Sequence, residues 1–184
     1  HIVSPIFHEI SNDVFKKIKD DSNFLLVDPQ GFLRQKDSKN NIILKKTDLD
    51  LSDVNAIKIN PEEGQNIVSG SHDEMMLALQ KKGIEYVLLT NKSDVSLLVK
   101  NRVYSLKLPN KHIHDTTGIG DIFCSAFTCT MLKEKDFLWA LCFAAGSAQA
   151  ALESNNVGLQ KIPKKGMVEN NASYFYNLVD FRDL

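Results

Sequence analysis

Four consecutive residues, Gly118, Ile119, Gly120 and Asp121, carry the strongest chemical signal in the chain. They lie within HDTTGIGDIFCSAF, residues 114–127, where turn-forming residues run straight into a helix-like apolar pattern. The two glycines permit positive φ and remove side chains that would keep a ligand away from the backbone amides. At a helix start those amides are unsatisfied donors at the positive end of the dipole, so the spacing predicts an anion site. An aspartate placed there is held as a carboxylate. Beside a substrate hydroxyl it can take the proton as that oxygen attacks phosphorus. The same aspartate reads equally well as a helix cap or first-turn acid. Other phosphate motifs fit worse. Phe123 occupies the third glycine position of a dinucleotide fingerprint, KLPNKHIH is a poor preceding core strand, and no G-x-x-x-x-G-K-[ST] occurs. A nicotinamide oxidoreductase is therefore a weak alternative.

A second polar cluster stands upstream in NPEEGQNIVSG, residues 60–70. Asn60 as N-cap, Pro61 at the first helical position and Glu63 at the third would make a capping box. The cluster follows an apolar strand pattern, and ligands of open α/β sheets bind outside the carboxyl ends of strands. Both readings stay open on spacing alone.

The elements that must position these residues alternate. HIVSP, FLLVDPQG, NAIKIN and EYVLLT read as strands, and EISNDVFKKIKDD and the broken stretch PEEGQNIVSGSHDEMMLALQKKG as helical. Strand, helix and strand at this spacing predict parallel pairing through crossover helices. SLLVK and RVYSLKL, which adjoin at Asn101-Arg102, predict an antiparallel edge hairpin. From Gly118 the pattern turns helical, with Ile119, Ile122, Phe123, Phe127 and Met131 on a buried face. FLWALCFAAGSAQAAL, residues 137–152, is apolar nearly all round and reads as a buried helix, and NASYFYNLVDF, residues 171–181, as a closing amphipathic helix. One α/β domain over residues 1–184 is the expectation.

Composition narrows the function classes. Lys plus Arg number 22 against 23 Asp plus Glu, for a net charge of −1, so no basic footprint points to nucleic acid or an anionic membrane. The apolar run 137–152 is interrupted by Ser147 and Gln149 and falls short of the roughly 20 residues that a membrane crossing needs. Three cysteines form no C-x-x-C, which argues against a disulfide framework and suits a reducing cytosol. Cys124 and Cys129 are expected as small core residues. His112 and His114 alternate as on an exposed strand.

DTTGIGDIFCSAF resembles the second signature of the ribokinase-like, or PfkB, family of carbohydrate and nucleoside kinases, whose core is D-T-x-G-A-G-D. The resemblance implies that Asp121 is the catalytic base and that the amides of Gly118, Ile119, Gly120 and Asp121 form the anion hole. It implies a monovalent cation such as K+ at Asp115 and Thr117. Ile119 replaces the common alanine, a change that a backbone contact tolerates. NPEEGQNIVSG looks like the family's N-x-x-E segment, which implies that Asn60 and Glu63 support Mg2+ and the nucleotide phosphates, Glu63 through water. YVLLTNKSDVSLLV occupies the place of the T-x-G-x-x-G nucleotide loop. Thr90 matches there, while Lys92 and Val95 stand where glycines are expected. FAAGSAQAAL and the NNVG turn ending at Gly158 are similar to the segment flanking adenine, so Ser147 and Gly158 become nucleotide-binding candidates. Helix packing is the alternative for Ser147. Asp28, in LLVDPQGFLR, is given only a supporting part.

The implied fold is α/β and ribokinase-like, a mostly parallel sheet flanked by helices with an antiparallel edge hairpin. The implied cofactors are ATP and Mg2+, and the implied acceptor is a sugar, polyol or nucleoside in the cytoplasm. That family's N-terminal segment, with most sugar contacts, its glycine-pair motif and the β lid through which two copies would pair, has no counterpart in these residues. The chain is then expected to be the C-terminal, nucleotide-binding and catalytic part of a longer kinase, or a short relative. The alternative is a non-catalytic nucleotide-binding or assembly module of the same fold.

Overall fold

The computed structural model of the chain describes residues 1–109 and 115–184. His112 and His114 therefore lie outside the described residues. The chain gathers into two compact units, one of His1–Asn91, Ser96–Val103 and Arg182–Leu184, the other of Lys92–Val95 and Tyr104–Phe181.

The first unit runs β1 (Ile2–Val3), α1 (Asn12–Asp20), β2 (Leu26–Val27), α2 (Gln30–Leu33), β3 (Arg34–Lys36), β4 (Ile42–Leu44), β5 (Ala56–Ile59), α3 (Pro61–Ile67), α4 (His72–Lys81) and β6 (Tyr86–Asn91). β1, β2, β5 and β6 lie side by side and parallel, with Val3, Val27, Ile57 and Val87 in one register row. This is the arrangement that strand–helix–strand order predicts, since parallel neighbours need a crossover between them. Every residue of β2 and β5 is buried, as parallel strands covered on both faces require. The chain between α2 and β5 also makes a small antiparallel pair, with Gln35 opposite Ile43. Its turn is closed by Asp37, whose Oδ1 accepts from the amides of Lys39 (2.7 Å) and Asn41 (2.9 Å). That pair was not foreseen from sequence, because Ile42 and Ile43 are exposed and show no alternation.

The sheet continues through β7 (Asp94–Val99), β8 (Arg102–Lys107) and β9 (Asp180–Asp183), in the order β1-β2-β5-β6-β7-β8-β9. The edge hairpin is present, but its turn is Lys100-Asn101, one residue earlier than the sequence suggests. Both turn residues take positive φ, 48° and 62°, the backbone that matches the twist of a tight hairpin. Lys92 in the preceding turn also takes a positive φ, 54°. The left-handed backbone expected of a glycine there is thus present, adopted by a lysine. The closing helix departs more from expectation. α7 spans Lys165–Tyr176, and the residues to Phe181 that were read as its continuation enter β9 instead. Arg102 Nε donates to Asp183 at 2.6 Å and the Leu184 amide donates to Asn101 O at 2.8 Å, which ties this last strand to β8. Local apolar spacing could not foresee that long-range pairing.

The second unit is built on α5 (Ile119–Glu134), α6 (Phe137–Leu152) and α7. α6 packs against both other helices. Phe123, Phe127 and Met131 are buried on α5 as predicted, while Ile119 and Ile122 are only half-buried. α6 and α7 come unusually close at Gly146, where a Cβ would stand 2.8 Å from Val168 O and 2.9 Å from Ala172 N. Among the described residues, no helix is long and apolar enough to cross a membrane.

One interaction in the first unit follows directly from the register. Asp28 follows Val27 and Lys58 follows Ile57, so the two side chains leave neighbouring parallel strands on the same face. They form an ion pair of 2.8 Å, with both residues under one-tenth exposed. Removing one partner of such a pair strands the other charge in the interior. Lys58→Met is expected to lower stability by about 3–5 kcal/mol, read from the urea midpoint.

Candidate functional site

The junction before α5 forms as its residue types dictate. Gly118 is the N-cap and takes φ 77°, a left-handed conformation. A Cβ built there would meet nothing within 4 Å, so the backbone angle and not space makes glycine the suitable residue. The preceding turn is drawn in by Asp115, whose Oδ1 accepts from the Thr117 amide at 2.9 Å. Ile119 N donates to Thr116 O at 3.2 Å, and the helix ladder begins with Ile122 N donating to Gly118 O at 3.0 Å. The Ile119 amide, expected in the anion hole, is thus engaged by the turn itself. Asp121 falls at the third helical position and is exposed.

A buried lysine completes this turn. Lys161, 2% exposed, sends Nζ to Asp115 O (2.6 Å), Asp115 Oδ2 (3.0 Å) and Thr117 O (3.2 Å). These are oxygens of the two residues expected to hold a monovalent cation. Hydrogen bonds from Thr117, with a further one from Lys161, hold the Asp115 carboxyl down to about 2. A carboxyl with a depressed pKa contributes stability above its ordinary value near 4. That contribution is lost progressively as pH falls from about 4 to about 2, so the Asp115 carboxylate keeps it across the physiological range.

A cavity of about 750 Å³ opens beside the turn, within the second unit. Asp115, Thr117, Gly118 and Asp121 line it, and Ser125 and Cys129 follow Asp121 at four-residue spacing along α5. Eight residues of helix at about 1.5 Å each make that wall roughly 12 Å long. Phe143, Val157, Leu159, Ile162 and Val168 supply apolar surface. A largely apolar pocket of this size with a few convergent polar groups is the usual form of a small-molecule site. Ser147 and Gly158, both expected near nucleotide, also line it. The Ser147 hydroxyl donates to Phe143 O at 2.8 Å inside its own helix, and the residue is 3% exposed, in keeping with the packing role. Cys124 is buried as expected, but Cys129 is exposed on the cavity wall and not a core residue. Lys161 was missed from sequence: its partners Asp115 and Thr117 lie 46 and 44 residues away and no local pattern marks it.

The remaining expected residues stand together in the first unit. Asn60 caps α3, and the capping box is fully formed. Asn60 Oδ1 accepts from Glu63 N and Glu63 Oε2 accepts from Asn60 N, both at 2.8 Å. Continuing the β5–β6 register sets Asn60 opposite Thr90, whose hydroxyl donates to Ile59 O at 3.4 Å. All three residues therefore cluster at the carboxyl ends of parallel strands, where open α/β sheets bind ligands. Glu63 is 1% exposed. Burial raises its carboxyl above the usual range, while the nearby Lys58 ammonium pulls it down and Asp28 pushes it up. Among the described residues no three His, Cys, Asp or Glu side chains converge as a metal cage. One buried carboxylate with a capping-box neighbour suits an ion that keeps its water and binds through ligand phosphates, as Mg2+ does.

A family model described as pfkB family carbohydrate kinase matches residues 30–165. No functionally curated protein matches the chain at a significant level. Solved structures share the fold. A pyrophosphate-dependent myo-inositol-1 kinase, described as converted into a myo-inositol-3 kinase, superposes with a TM-score of 0.78 at 19% identity, over 96% of this chain and 64% of its own. Ribokinase of Thermotoga maritima gives 0.73 at 17% identity, over 94% and 56%. Ribokinase of Arabidopsis thaliana, complexed with ribose and ATP, gives 0.61 at 20% identity, over 92% and 62%. The chain thus spans roughly three-fifths of the length of these structures.

Gly118→Ala tests the junction. The left-handed backbone should cost about 1–2 kcal/mol in a denaturant titration, whereas an unchanged midpoint would show that the turn relaxes without penalty.

Proposed function

The chain belongs to the pfkB family of carbohydrate kinases, and on that premise we propose that its parent protein transfers the γ-phosphoryl group of ATP to a hydroxyl of a sugar, polyol or nucleoside. The observation that carries the reading is the left-handed glycine junction opening α5 with Asp121 beside a long, largely apolar cavity. In the proposed reaction the acceptor oxygen forms a bond to the γ-phosphorus as the β,γ-bridging bond breaks. The acceptor proton passes to Asp121 and ADP leaves with the electron pair. Positioning and charge neutralisation supply most of the rate enhancement in such a step.

Each residue has a role in this proposal. Backbone donors around Gly118 and Gly120, at the positive end of α5, balance charge on the transferred group. The apolar cavity wall, with Ser147 and Gly158, receives the base. This wall favours a nucleotide donor over bare pyrophosphate, which has no apolar part to bury. Glu63, Asn60 and Thr90 support the phosphates and their Mg2+, Glu63 through water. When bound, the ion would neutralise phosphate charge; Glu63 contributes a fixed carboxylate whose orientation the capping box sets.

Asp121→Asn in the full-length protein should reduce turnover by about 10²–10⁴-fold while ATP affinity changes little. ADP release across a panel of sugars, inositols and nucleosides is the measurement, and near-normal turnover would remove Asp121 from the chemistry. The alternative reading, a nucleotide-binding module without catalysis, is separated by a thiol probe. Cys129 lines the cavity and is exposed, whereas Cys124 and Cys142 are buried and burial pushes the Cys142 thiol up to about 12. Alkylation should therefore mark Cys129 first, and ATP should slow it. Protection by ATP without ADP release to any acceptor would favour the module.

A further inference from the structure

We infer that Lys161 is a built-in monovalent cation, an ammonium held where a free ion would otherwise be needed to shape the turn that opens α5. The observation is its coordination. All three N–H bonds of Nζ are directed to oxygens, at 2.6, 3.0 and 3.2 Å, and the residue is 2% exposed. Two of those oxygens are main-chain carbonyls, of Asp115 and Thr117, and the third is the Asp115 carboxylate. Carbonyl and carboxylate oxygens are the donor set of hard cations. Ammonium and K+ are close in size, so the same three oxygens would accept K+, Rb+ or NH4+ if the lysine were shortened.

The position gives the ammonium a task beyond packing. Thr117 immediately precedes Gly118, and Asp115 also holds the Thr117 amide through Oδ1. Lys161 therefore fixes both carbonyls of a turn whose other end is the left-handed cap of α5. It also balances the Asp115 charge at the edge of the cavity. Lys161 is a positioning residue here: it acts through the turn, not on a reacting atom. Because the lysine already fills these oxygens, they do not fit an additional K+, and the proposed phosphotransfer should need no added monovalent cation.

The test is Lys161→Ala in the full-length protein, compared with wild type in LiCl, NaCl, KCl, RbCl and NH4Cl at constant ionic strength. Thermal melting should be indifferent to the cation for wild type. For the variant it should rise selectively with K+, Rb+ and NH4+, in the concentration-dependent manner of a ligand that binds only the folded state. If the variant does not fold in NaCl, refolding yield in KCl against LiCl is the readout. Turnover of the variant should fall by about a hundredfold in LiCl and recover in KCl, a part of the test that rests on the kinase reading. Equal destabilisation in all five salts, or K+ activation of the wild type, would overturn the inference. Selective K+ stabilisation of the variant with no phosphotransfer by either protein would uphold it and sink the kinase reading instead.

Discussion

The second unit depends on a short turn that would not hold its shape unaided. Asp115 to Gly118 ends in a left-handed residue and turns two carbonyls toward one point. Converging carbonyls repel unless a positive charge lies between them. The Lys161 ammonium supplies that charge from a distant part of the chain, and its burial removes the water that would weaken the attraction. With the turn held, α5 starts where Asp121 can border the cavity, and the wall of Asp121, Ser125 and Cys129 follows from helical spacing alone.

The first unit solves a related problem with the opposite sign. Asp28, Lys58 and Glu63 place two carboxyl groups and one ammonium in a region that is nearly closed to water. The ion pair is dictated by strand register, and Glu63 is added by the first turn of α3. Desolvation raises the Glu63 carboxyl, while the Lys58 ammonium moderates the rise. Such a cluster adds little net stability compared with apolar packing, and its value lies in a carboxylate with a fixed direction at the carboxyl edge of the sheet. The capping box and the ligand-site reading of Asn60 and Glu63 are compatible for this reason. The box uses Asn60 Oδ1 and Glu63 Oε2 to set the geometry of the residues that border the edge.

Much of the architecture could be read from local pattern. The parallel strands were legible because buried runs such as AIKI are short, mostly apolar and bounded by turn residues, and α6 because its sixteen residues are apolar nearly all round. The junction at Gly118 was legible because few residue types tolerate its backbone angle, and the edge hairpin because two apolar runs nearly adjoin, although its turn at Lys100-Asn101 falls one residue earlier than that spacing suggests. What failed was non-local. β9 exists because Arg102 and Asn101 receive Asp183 and Leu184, and a helical spacing in residues 171–181 says nothing of that. Cys129 was read as core, since one helix face cannot show that the space beside it is a cavity and not another side chain.

The sequence by itself determined the order of the main parallel strands and helices, the glycine junction with its aspartate, the spacing of the capping box at Asn60 and the family to which the chain belongs. These depend on dihedral preferences and on spacing along one element, which neighbouring residues encode. Only the tertiary structure decided which charges meet. Lys161 and Asp115 are 46 residues apart, and Lys58 and Asp28 are 30 apart. Lys58 meets Asp28 through the register of two buried parallel strands, and Lys161 meets Asp115 because folding lays residues 158–161 against the turn before α5; no single stretch of sequence contains either condition.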